Sequence, residues 1–184
     1  MAQQFRIKRT YATVAVVAGG FATVDLPRGY DYESIHIRAY GTVNVTTAAT
    51  SVRAEAPVQV ISRCEVVADG RNTLFSSPFW FATLAKYDRP SMLESGARVT
   101  TAPTAATIAA YPFEANGVID LMTPDGERPK DSNFRTDGLQ LFQLRLTFGN
   151  PIDMFVPGAG VATYTSANVE ISTIELVELP DANG

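Results

Sequence analysis

Few side chains in this sequence could make or break bonds. There is one cysteine, Cys64, and one histidine, His36, far apart in the chain. So placed, they cannot build a Cys/His metal cluster, and a lone cysteine closes no intrachain disulfide. Cys64 falls on the apolar face of an alternating stretch, where a thiol is a buried, inert group. His36 would have to serve any Ser/His/Asp triad, yet no G-x-S-x-G turn accompanies it. Paired carboxylates of the glycosidase kind, such as Asp120 with Asp125 or Asp31 with Glu33, read as ordinary turn acids. Asp125-Gly126 within TPDGE is a hairpin turn rather than a calcium loop, because the alternating Asp/Asn ligands of an EF-hand are missing. Asn44-Val45-Thr46 is a glycosylation sequon, but it lies within a predicted strand. No glycine-rich phosphate loop follows a strand and opens a helix. The sequence thus assigns no catalytic, cofactor-binding or metal-binding residue; the expectation is a protein that is not an enzyme and takes no small-molecule substrate.

Composition narrows the class further. The chain has 184 residues, 46% hydrophobic and 18% charged, which is enough apolar material for a core and too little charge for a disordered chain. The net charge of −4 argues against nucleic acid as the main partner, because phosphate binding needs clustered Lys and Arg. The one local cluster, Arg6, Lys8 and Arg9, reads as a solvated strand face. No apolar run reaches the roughly 18 residues of a membrane span. Basic residues ahead of Tyr11 to Ala22 mimic a signal peptide, but that stretch lacks Leu and is broken by Gly19-Gly20, so a strand is expected there.

The elements follow from periodicity. From Val58 to Ala68 the even positions Val58, Val60, Cys64, Val66 and Ala68 are apolar while Gln59, Arg63 and Glu65 are polar, which predicts a half-buried strand. Asp69-Gly70 turns it into a return strand at Thr73 to Phe75. Ser76 or Ser77 is expected to cap a short helix with Pro78 at its first position, near 78–87, whose shared face is Phe81, Leu84 and Ala85. The adjacent Phe79, Trp80 and Phe81 either fill the mouth of a sandwich or offer Trp80 to a neighbouring subunit.

Other predicted strands are Phe5 to Arg9, Tyr11 to Val17, Phe21 to Leu26, Ser34 to Thr46 with Ile35, Ile37, Ala39, Val43 and Val45 on one face, and Val52 to Ala56. After the helix come Arg98 to Thr101, Ile108 to Phe113 and Val118 to Leu121 around Asn116-Gly117, Leu139 to Phe148, Ile152 to Val156, Val161 to Tyr164 and Ala167 to Leu179. The 139–148 strand changes parity, as a β-bulge or burial on both faces would require; the 167–179 strand also shifts, from Val169 and Ile171 to Ile174 and Leu176. Residues 90–107 and 122–138 read as exposed loops. About ten strands with one helix predict an all-β antiparallel sandwich, a single domain over 1–184 in which 1–17 is an arm or strand and 180–184 a flexible tail.

With the strands so placed, the layout resembles viral jelly-roll coat proteins, above all the single upright jelly rolls of tailless, membrane-containing bacteriophages and the halves of double jelly-roll capsid proteins. The resemblance lies in SRCEVVADGRNTLFSSP leading into a short helix with FWFATL, and in the closing strands LQLFQLRLTFGN and ANVEISTIELVEL, within residues 30–179. Double jelly-roll proteins need nearly twice this chain, so one roll fits here. The resemblance implies a single jelly roll, a capsid subunit of the virion with copies of itself and other capsid proteins as partners, proximity to an internal viral membrane, and no catalytic residue to carry over. The alternative is a non-catalytic carbohydrate-binding or adhesion β-sandwich. In a shell, contacts are expected from residues 1–17, 91–107 and 122–138, which have least to do in the core.

Overall fold

A computed structural model describes residues 3–47, 51–88, 101–122, 132–156 and 160–179. Alternation of period two becomes ten strands there: β1 (Gln3–Ala15), β2 (Phe21–Asp25), β3 (Asp31–Thr47), β4 (Ile61–Ala68), β5 (Asn72–Ser77), β6 (Ala109–Asp120), β7 (Phe134–Arg135), β8 (Phe142–Phe148), β9 (Val161–Tyr164) and β10 (Asn168–Leu179). One helix, α1 (Phe79–Asp88), lies between β5 and β6.

The strands form two antiparallel sheets. One has the order β1-β10-β3-β6, with the short β7 and β9 also paired to β3; the other has the order β2-β8-β4-β5. This is a jelly-roll sandwich, as expected. Its core lies between the inner faces, where Ile35, Ile37 and Val43 of β3 meet Cys64 and Val66 of β4 and Leu144 and Leu146 of β8, all at 1% exposure or less. Each such Leu, Ile or Val contributes about 1.5–3 kcal/mol by leaving water.

Several boundaries differ from expectation, each for a local reason. Phe5 to Arg9 and Tyr11 to Val17 are not two strands but one, β1, whose register against β10 skips Tyr11. The break in the pattern is a bulge, not a turn. Val52 to Ala56 is not a strand, and the strand predicted from Val58 begins only at Ile61. Between them Ala56–Val60 is a 3-10 turn. Pro57 has no N–H for a ladder and its fixed φ suits that turn. Asp69 and Gly70 turn β4 into β5 with φ of 50° and 69°, and the Asp69 carboxylate accepts from the Gln140 and Leu141 N–H groups at 2.6 and 3.1 Å.

The expected serine cap is absent. Ser76 and Ser77 belong to β5; the Ser76 hydroxyl instead donates to Glu65 and accepts from Arg63. The buried face of α1 is Phe79, Ala82 and Thr83, while Phe81 is exposed. The side chains of Leu84 and Ala85 lie outside the described residues.

Asn116-Gly117 is not a turn between two strands. β6 runs through it unbroken, with Gly117 opposite Ile37 and Asn116 opposite Arg38. The glycine serves packing: a Cβ there would sit 2.5 Å from the Phe79 ring. β6 is an edge strand, and its Pro112 pairs with Thr42, a tolerated place for a residue without an N–H.

Leu139 and Leu141 precede β8, so that strand needs neither a bulge nor two buried faces; Phe142, Leu144, Leu146 and Phe148 form one inner face. Ile152 to Val156 is not a strand, because Pro151–Met154 is a 3-10 turn. The inner face of β10 keeps its phase through Val169, Ile171, Thr173 and Glu175, all fully buried. The shift lies instead in β3, where pairing steps from Ser34 to Tyr32 past Glu33. Of the two expected loops, Thr101 bridges to Glu114, and Phe134 packs on Phe142 with ring centroids 5.6 Å apart, so part of 122–138 belongs to the sandwich. Residues 91–100, 123–131 and 180–184 lie outside the described residues.

Candidate functional site

The residue types with chemical potential are held apart. Cys64 is fully buried, its Sγ–H 3.5 Å from the Ser77 carbonyl. Burial, and then the charge of Glu65, push its thiol up to about 12, which leaves it protonated and inert. Asp31 and Glu33 do not flank a cleft. Glu33 is bound bidentately by Arg6, with Nε at 2.6 Å from Oε2, and Asp31 lies 3.8 Å from the Arg135 guanidinium. Asp120 accepts from the Met122 N–H at 3.0 Å; Asp125 and Gly126 lie outside the described residues. Asn44 is locked mid-strand between Ala110 of β6 and Thr163 of β9, a poor place for a glycan. Among the described residues no group of three His, Cys, Asp or Glu could hold a metal, and no helix is long and apolar enough to cross a membrane.

His36 stands on the outer face of β3, 3.1 Å from the Ser34 hydroxyl. Burial first, and Lys8 second, lower its imidazole from 6.5 to about 4. The unfolded chain, titrating near 6.5, therefore takes up this proton before the folded one. Stability is intact above 6.5 and falls as pH drops toward 4, by on the order of 2 kcal/mol once the ring's partial exposure is allowed for. His36→Asn should lose less stability than the parent between these pH values in urea titrations, and the NMR titration of the one imidazole should lie well below 6.

Arg6, Lys8 and Arg9 are not one patch. Arg6 and Lys8 face outward on β1, and Arg6 reaches Glu33 across β10. Arg9 faces inward toward Glu175, 3.4 Å from its Oε2, with its guanidinium 5.2 Å from the Tyr30 ring centroid. On the same outer face Arg38 grips Glu114 at 3.0 and 3.2 Å and stacks over Tyr40.

The inward polar cluster at Glu175 has no counterpart among the sequence candidates. Glu175 is 0% exposed. Its Oε1 accepts from Thr173 at 2.8 Å and from the Tyr11 hydroxyl, while Oε2 has only the Arg9 ion pair. Tyr11 can reach inward because it is the bulged residue of β1, and burial with its donation to Glu175 pushes its hydroxyl up to about 12. A carboxylate sealed from water, with Oε1 held by hydroxyls of its own fold and Oε2 facing Arg9, is out of reach of a substrate in solvent. It ties β1 to β10. The sequence signal was present, in the unbroken alternation Val169, Ile171, Thr173, Glu175.

The surface offers edges and aromatics rather than a reactive cleft. Of the aromatic trio, Phe79 is buried while Trp80 and Phe81 are 49% and 52% exposed, stacked edge to face at 5.7 Å. β1 and β6 are the edges of one sheet, β2 and β5 of the other. An uncharged groove of about 540 Å³ runs beside β9, between it and Val16, Ala18 and Ile152.

No protein-family model matches the chain, and no curated protein matches it in sequence. In structure it is similar to the major capsid protein of Sulfolobus turreted icosahedral virus, with TM-score 0.65 and 18% identity over 92% of this chain and 48% of that one. It is also similar to the major capsid protein of bacteriophage PM2, with TM-score 0.52 and 12% identity over 93% and 50%. A chain of the PBCV-1 virus capsid matches with TM-score 0.53 and 11% identity over 96% and 43%. The chain spans about half the length of the solved structures it matches. At these identities the likeness is one of fold: the chain is a single jelly roll of the kind found in viral major capsid proteins.

Proposed function

We propose that the protein is a capsid subunit of a bacteriophage shell, a virion component that meets copies of itself and other coat proteins through its arm, loops and edge strands. The observation that carries this is the match of 92% of the chain to about half of a viral major capsid protein. The lack of convergent reactive groups among the described residues agrees with a structural role. One matched structure, that of PM2, comes from a bacteriophage, which supports a bacterial host. A jelly roll has its own core, so its subunit contacts fall to β1, to the segments 91–107 and 122–138, and to unpaired edges.

Mass spectrometry of purified particles should find the chain in stoichiometric amounts. Hydrogen exchange should show at least two of the three segments slower in the particle than in the free subunit. Absence from particles overturns the proposal, and equal exchange in all three segments moves the contacts elsewhere.

The exposed Trp80–Phe81 pair favours the alternative, a carbohydrate-binding or adhesion module. In that case the protein should stay monomeric and bind a glycan array, with binding lost in Trp80→Ala.

A further inference from the structure

We infer that β9 is a self-pairing edge, through which two copies of this chain join one sheet across a twofold axis. Among the described residues β9 pairs with β3 alone, along the stretch of β3 that β10 no longer covers. The direction of its free backbone groups is fixed. Thr165 N–H donates to the Thr42 carbonyl at 2.9 Å. Hydrogen-bonded and non-bonded pairs alternate along an antiparallel ladder. Thr163 therefore bonds to Asn44, while Ala162 and Tyr164 turn their N–H and C=O groups away from β3. They point toward the groove of about 540 Å³ beside β9, which Val16 and Ile152 also line.

Within this sheet, charge decides the occupant. In an isologous antiparallel contact the residues close to the twofold meet their own copies or near neighbours, so a charge there would meet its like. The β1 edge would oppose Arg6, Lys8 and Arg9 to themselves. β6 carries Pro112, and Thr101 already occupies the outward groups of Glu114. β9 carries no charge, nor does any residue lining its groove, and its own Val161 is 51% exposed. A long-range steering charge for a foreign partner is thus missing, whereas a second copy brings the same uncharged edge and the same apolar rim.

The register follows. Ala162 of one copy exchanges backbone hydrogen bonds in both directions with Tyr164 of the second copy, and Thr163 lies on the twofold opposite Thr163 of the second copy. As a non-bonded pair these two have Cα atoms about 4.5 Å apart, within the range a disulfide spans. The contact does not rest on the capsid proposal, since a dimer can form whether or not the chain enters a shell; a dimer does count against the monomeric carbohydrate-binding alternative.

The test uses the full chain in solution. Thr163 is exposed, and its side chain makes no hydrogen bond among the described residues. Thr163→Lys and Thr163→Glu should each weaken the dimer about tenfold, as measured by sedimentation equilibrium, and an equimolar mixture of the two should restore it. With an added oxidant such as oxidised glutathione, Thr163→Cys should form a covalent dimer, whereas Cys64, being buried, should not. A parent protein that stays monomeric at its highest soluble concentration overturns the inference. So does a dimer that neither charge weakens, a mixture that fails to restore it, or a Thr163→Cys protein that does not cross-link.

Discussion

Gly117→Ala is expected to destabilise the protein by about 1–3 kcal/mol, and Gly117→Val by more, read as a lower urea midpoint with an unchanged slope. The added Cβ would stand 2.5 Å from Cε2 and 3.0 Å from Cζ of Phe79, and 3.2 Å from the Ala82 methyl. None of these can move outward, because Phe79 and Ala82 are the buried anchors of α1 against β6. The cost should therefore depend on the ring. Phe79→Leu alone leaves a void, and on that background Gly117→Ala should cost markedly less, giving a coupling on the order of 1 kcal/mol in a double-mutant cycle. Purely additive costs would mean that Gly117 matters for its backbone and not for the ring it admits. Trp80→Ala, one residue away and half exposed, should change stability by less than about 1 kcal/mol.

Gly117 also shows where the sequence is readable and where it is not. Asn116-Gly117 looks like a hairpin turn because the dipeptide suits φ > 0. Nothing local announces that a phenylalanine some forty residues earlier needs the space. By contrast, Ile35 to Val45 and Phe142 to Phe148 were legible because one whole face of each is buried, so every second residue repeats the same signal. The bulges were half legible. Changes of parity were visible, but the sequence assigned one to β10 when the slipped residue is Glu33 of β3. Apolar Ile174 and Leu176 suggest a change of face that the strand, with Glu175 fully buried, does not make. Edge pairing, on which the assembly proposals depend, is a property of which strands lack neighbours, and no periodicity encodes that.

The largest polar effect should come from Glu175. Glu175→Ala is expected to cost about 3–5 kcal/mol, since it opens a cavity and strands two buried donors, the hydroxyls of Tyr11 and Thr173, at about 1–3 kcal/mol each. Glu175→Gln keeps the shape and one acceptor oxygen, so it should cost about 1–3 kcal/mol. Arg9 adds little to this sum: its side chain is 41% exposed and can return to water. Tyr11→Phe should cost about 1 kcal/mol and should be nearly silent on the Glu175→Ala background, where its acceptor is already gone. The effect should also be local. Tyr11 and Arg9 lie on β1, and Thr173 and Glu175 on β10, so the carboxylate fastens the edge strand to the rest of its sheet from the inside. Amide exchange in β1 should accelerate more than in β3 when Glu175 becomes Gln, because β1 is bonded on one side only while β3 is bonded on both. If β1 and β3 accelerate equally, the residue supports the sandwich as a whole. If Glu175→Gln costs nothing and leaves β1 unchanged, the buried carboxylate is not the fastening, and the outer pair of Arg6 with Glu33 becomes the one that holds the strand.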